Sequence, residues 1–172
     1  MRSFNCHSFW EFDIISIKID SNIIYIVVHV SFDTIDKIRR IYDKIDFRAG
    51  GIFNIFQGNL EIAVMTNREY KDTVLDFLSE EKITHVVEDH SSINLSYSKD
   101  YSHVPGLMYS ITRNIAMENI NILNWFNTPQ ELTLIVHEND VMKCYNILNK
   151  MQKKNDTNNI LNSKLIEDKI IT

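Results

Sequence analysis

Residues 93–148 read INLSYSKDYSHVPGLMYSITRNIAMENINILNWFNTPQELTLIVHENDVMKCYNIL, and the succession of apolar periods within them decides the fold. Ile93, Leu95 and Tyr97 alternate, which is the period of a half-buried strand. Beyond a loop at 99–104, Pro105-Gly106 leads into Leu107, Ile111 and Ile115, an inward helical stripe with Met108 and Ala116 beside it. Pro105 suits a first helical turn, where its missing N–H has no partner to lose. Asn119 tolerates the left-handed conformation that closes a helix. A strand over 120–126, a turn at Asn127-Thr128-Pro129-Gln130 and a strand over 131–137 follow, the last alternating Leu132, Leu134 and Val136. Asn139 or Asp140 opens a helix to about Met151, striped by Val141, Tyr145 and Leu148. Residues 152–163 are polar and amide-rich, a linker, and 164–171 are expected to supply a last strand.

The same order stands upstream. Residues 12–20 and 23–30 predict two strands, joined by Ser21-Asn22 as a hairpin. Asp33, with Asp36 three residues on, is the expected cap of a helix striped by Ile35, Ile38, Tyr42 and Ile45 and ended by Gly50-Gly51. Strands over 52–56 and 60–66 flank Gln57-Gly58-Asn59. A helix over 68–81 presents Tyr70, Val74, Phe77 and Leu78, and 83–88 is again a strand. Residues 23–88 therefore spell βαββαβ, the ferredoxin-like order. Its recurrence after about seventy residues is an internal repeat with a boundary near Asp89, giving units 1–88 and 89–172. The expected class is α+β: two ferredoxin-like units with antiparallel sheets and helices on one face. The strand at 12–20 has no counterpart; it either pairs at an edge or completes the second unit's sheet in an interleaved arrangement.

Composition narrows the function. A formal charge of −5, with basic residues only in small clusters such as Arg39-Arg40 and Lys153-Lys154, argues against a nucleic-acid surface. The longest apolar run, 23–30, is strand-length and too short to span a bilayer, so a soluble, cytoplasmic protein is expected. Cys6 and Cys144 match no metal or redox spacing. His85, Asp89 and His90 straddle a strand junction and read as exposed polar residues rather than a metal site. No phosphate loop, nucleophile elbow or paired His ligands can be named. Neither catalytic residues, a metal nor a cofactor is expected, and the chain reads as a non-enzyme.

Val104-Pro105-Gly106-Leu107, Asn119-Ile120-Asn121-Ile122 and Glu131-Leu132-Thr133-Leu134-Ile135-Val136, with Asp140 opening the last helix, resemble an ACT domain, in particular the regulatory region of aspartate kinases without the catalytic part. The first half resembles a more divergent copy, with Ser31-Phe32-Asp33-Thr34 where Pro-Gly would stand. The resemblance implies an amino acid held between the loop of one unit and the second strand of a neighbouring unit. Its ligand-binding residues would be His103, Val104, Pro105, Gly106, Leu107, Asn121 and Ile122. The chemistry fits, because the first helical N–H groups lack partners and receive a carboxylate well. Two departures are Asn119, where the family often has glycine, and the rings of Trp125 and Phe126 in the second strand. Such rings either fill the pocket or form a subunit interface. Two functions follow: an amino-acid-binding regulatory module, stand-alone or serving an enzyme partner, or a ligand-free interaction and oligomerisation scaffold of the same fold. A homodimer is expected under both.

Overall fold

A computed structural model of the chain describes residues 14–98 and 105–152. The loop 99–104 with His103 and Val104, the stretch 153–163, the expected strand 164–171 and Cys6 lie outside the described residues. The chain is α+β: β1 (Ile14–His29), α1 (Phe32–Tyr42), β2 (Phe53–Gln57), β3 (Glu61–Asn67), α2 (Lys71–Phe77), β4 (Ile83–Tyr97), α3 (Leu107–Met117), β5 (Ile122–Asn127), β6 (Glu131–His137) and a last helix, α4, over 141–152. The strands form the hydrogen-bonded series β2-β3-β1-β4-β6-β5.

The chain divides into two compact units. One is Asp20–Ser91; the other joins residues 14–19 to those from Ser92 onward. The division differs from a colinear one at 1–88 and 89–172, because β1 and β4 each contribute to both units. The expected hairpin at Ser21-Asn22 does not form. β1 runs unbroken through both residues, with Asn22 at φ 56°. Asp89, at φ 59°, likewise lies inside β4, which merges the strands expected at 83–88 and 92–98. Asparagine and aspartate are the side chains that enter this left-handed region at least cost.

In the Asp20–Ser91 unit the strand order is β2-β3-β1-β4. Antiparallel pairing sets Ile24 opposite Thr66, Ile26 opposite Val64 and Val28 opposite Ile62. With a side-chain period of two, these residues share one face, and Ile38, Ile41, Val74 and Leu78 of the helical segments pack on it. The helix α1 is capped by Ser31 rather than Asp33: the Ser31 hydroxyl accepts from the Thr34 N–H, and Thr34 Oγ1 accepts from the Ser31 N–H. It ends at Tyr42, so Ile45 joins the core from beyond it. A short 3₁₀ turn, Phe47–Ala49, then closes on Gly50 at φ 92°. The second helix is also shorter than the stripe predicts, a 3₁₀ turn at Arg68–Tyr70 preceding α2, which leaves Glu81 in the connection to β4.

In the other unit, residues 92–97 of β4, α3, β5, β6 and α4 follow the same order, and residues 14–19 of β1 take the place of the fourth strand. The interleaved arrangement is the one realised. Ile14 is buried among Ile93, Leu95, Leu134 and Val136, with Ile17 and Ile19 packed against the same core. Ile111, Ile115, Cys144 and Leu148 close it from the helices.

Candidate functional site

Of the residues expected to bind a ligand, the structure describes five. Pro105 is exposed and precedes the helix instead of opening its first turn; Gly106 is the N-cap, at φ 88°. A side chain with a Cβ rarely adopts that φ, so glycine is required for the chain to enter α3 at this angle. The first turn of α3 carries no acidic residue and Gly106 supplies no side-chain cap, so this end carries the partial positive charge of a helix start. Leu107 turns inward and packs on the core.

Asn121 and Ile122 sit elsewhere. Asn119, at φ 56°, ends α3, its N–H donating to the Ala116 carbonyl at 2.9 Å. Asn121 is exposed just before β5, and Ile122 pairs with Val136. The eleven residues of α3 therefore separate Gly106 from Asn121, a rise of about 16 Å. Within one unit the two halves of the expected site do not meet. Trp125, paired with Leu134 on β5 at one end of the strand series, is half exposed rather than closed into a pocket.

The corresponding end of α1 is differently furnished. Glu81 Oε2 accepts from Thr34 Oγ1 at 2.8 Å and from Ser31 Oγ at 3.0 Å. Glu81 Oε1 accepts from Lys37 Nζ at 2.9 Å, and Lys37 also reaches Glu80 at 3.1 Å. The Lys37 ammonium and then the Thr34 hydroxyl hold the Glu81 carboxyl below its usual range, and Glu81 in turn raises Lys37. No sequence rule pairs Glu81 with residues some fifty positions away; only the fold does.

Other features carry less chemistry. A cleft of about 500 Å³ is lined by Ser21, Asn22, Asn67, Arg68 and Glu69, but Arg68 is already held by Glu88 at 3.1 Å and Asp89 at 3.4 Å. Lys71 pairs with Glu88 too, which lowers the Glu88 carboxyl. Among the described residues no three His, Cys, Asp or Glu side chains group as metal ligands, and no helix is long and apolar enough to cross a membrane. Cys144 is fully buried, and burial, with the Asp140 charge, pushes its thiol up to about 12.

No protein-family model and no curated protein matches the sequence. Solved structures do match the fold. The aspartokinase alpha and beta subunits superpose with a TM-score of 0.65 at 19% identity, over 80% of this chain and 97% of that one. The ligand-free regulatory subunit of aspartate kinase from Thermus thermophilus gives 0.64 at 12% identity, over 80% and 97%. The aspartate kinase of Clostridium acetobutylicum gives 0.67 at 12% identity, over 81% of this chain but 35% of that one. The chain thus has the ferredoxin-like, ACT-like fold of aspartate kinase regulatory regions.

Proposed function

We propose that the chain is a regulatory module that binds a free amino acid and carries no active site of its own. The observation that supports it best is the glycine-opened, uncapped N-terminus of α3, free of acidic side chains in its first turn. Such an end receives a carboxylate through its unpartnered N–H groups and the helix dipole. Solved neighbours of the same fold add weight, since the aspartokinase III of E. coli has been seen in complex with lysine and aspartate.

The ligand's ammonium needs acceptors that the α3 end lacks. Asn121 and the backbone at Ile122 offer them, about one helix length away. A second copy of the chain, bringing its β5 end to the Gly106 end of the first, completes the site; the partner under this reading is a homodimer mate, and the regulated protein is an enzyme partner. The half-exposed Trp125 favours a second reading, a scaffold that assembles without a ligand.

Thermal unfolding against each of the twenty amino acids separates the two. A ligand at a hundred times its dissociation constant stabilises the fold by roughly 2.7 kcal/mol. An upward shift with one or a few related amino acids, absent in Gly106→Val, supports the sensor; no shift with any of them supports the scaffold.

A further inference from the structure

We propose that Glu81 is a resident substitute for an effector carboxylate at the first turn of α1, so that the Asp20–Ser91 unit is closed to ligand and the chain takes up effector at one unit only. The inference deepens the sensor reading and rests on it.

Glu81 is tied to the start of α1 by a compact set of hydrogen bonds. The Ser31 N–H donates to Thr34 Oγ1 at 3.2 Å, and the Thr34 N–H donates to Ser31 Oγ at 3.0 Å. Ser31 Oγ and Thr34 Oγ1 both stand within donating distance of Glu81 Oε2, at 3.0 and 2.8 Å, while they lie 2.7 Å from each other and the His29 carbonyl is a second, longer acceptor for Thr34 Oγ1 at 3.2 Å. Two helix-end N–H groups are thereby linked to one carboxylate oxygen through two hydroxyls, while the other oxygen takes the Lys37 ammonium at 2.9 Å. Hydrogen bonds to an ionised acceptor are the stronger kind. The Glu81 side chain is 10% exposed and Thr34 is fully buried, with Ser31 at the surface. An incoming carboxylate would meet the Glu81 carboxylate at the two capping hydroxyls and the Lys37 ammonium. At the start of α3 the equivalent position holds Gly106, with neither hydroxyl nor acid in the first helical turn's cap.

Removing the Glu81 side chain should therefore leave a small carboxylate site. The test is hydrogen exchange of the α1 amides in the full chain, for wild type, Glu81→Ala and Glu81→Gln, in acetate and in chloride at matched ionic strength. Glu81→Ala should exchange about tenfold faster in chloride, and acetate should restore protection to it alone. Glu81→Gln fills the space and should not respond. An acetate effect equal in all three proteins, or absent from Glu81→Ala, overturns the proposal. Should Glu81→Ala not fold, Glu81→Ser, which also removes the carboxylate, takes its place: protection restored by acetate supports the proposal, and no response overturns it. The acetate response reads α1 and the amino-acid shift reads α3, so failure of one does not imitate failure of the other.

Discussion

Asn22 in β1 and Asp89 in β4 take nearly the same left-handed φ, 56° and 59°, and each stands near the point where its strand leaves one compact unit for the other. Left-handed backbone costs a residue with a Cβ about 1–2 kcal/mol, and a β-branched one more. Asn22→Val and Asp89→Val should each lower the urea-unfolding free energy by about that amount, while Asn22→Gly should be neutral to slightly stabilising. Equal losses for Val and Gly at Asn22 would mean that side-chain contacts, not backbone conformation, decide the position.

The order of elements was legible in the sequence because apolar residues at β1, β3, β4, β6 and in each helix keep one period over enough residues to be unmistakable. Continuity was not. Ser21-Asn22 has turn composition, and a strand passing through it needs only a tolerant residue at one φ, which composition does not distinguish from a reversal. Residues 14–19 joined the later unit because Ile14 finds its burial beside Ile93 and Leu95, a long-range match that periodicity cannot see. Of the candidate site, Gly106 is the N-cap of α3, while Asn121 stands at the far end of that helix. Glu81 escaped notice because its partners are brought to it by the fold alone.

Cys144 is expected to be inert in the folded protein. Its neutral thiol is the form the core holds, so the raised folded-state pKa adds stability that is complete below the ordinary value of 9.0 and is lost as pH climbs from there toward about 12. Native protein at pH 8 should resist thiol-specific reagents at this residue, with labelling that tracks unfolding; rapid labelling of the native chain at Cys144 contradicts the burial.

Glu81 contributes to the acid limb, as does Glu88. The Glu81 carboxyl is depressed from 4.5, so its contribution is present above that value and lost as pH falls below it through the folded-state pKa. Glu81→Gln should flatten the stability profile in that acid window relative to wild type, with Lys37→Met removing much of the same slope. An unchanged slope in Glu81→Gln would assign acid sensitivity elsewhere.

Leu134 anchors the core closed by α3 and α4, fully buried on β6. Leu134→Ala should cost about 2–5 kcal/mol by urea unfolding. A loss below 1 kcal/mol, on the order of a surface change, would show that this core is not packed as described.

Trp125 is the natural place to test assembly. The register of β5 slips between Ile122 and Asn124, and the Trp125 N–H is taken by Asn124 Oδ1 at 2.8 Å, which blunts the strand against simple strand addition. A second copy docking along β5 would use the half-exposed ring. Trp125→Lys should weaken self-association in sedimentation velocity while leaving monomer unfolding nearly unchanged; undiminished association would move the interface away from β5.

Titration calorimetry with the amino acid that raises the unfolding midpoint tests the sensor reading at its root. One ligand per chain in the wild type and none in Gly106→Val is the predicted result. Two ligands per chain, or binding that survives Gly106→Val unaltered, would contradict a single effector site at the start of α3.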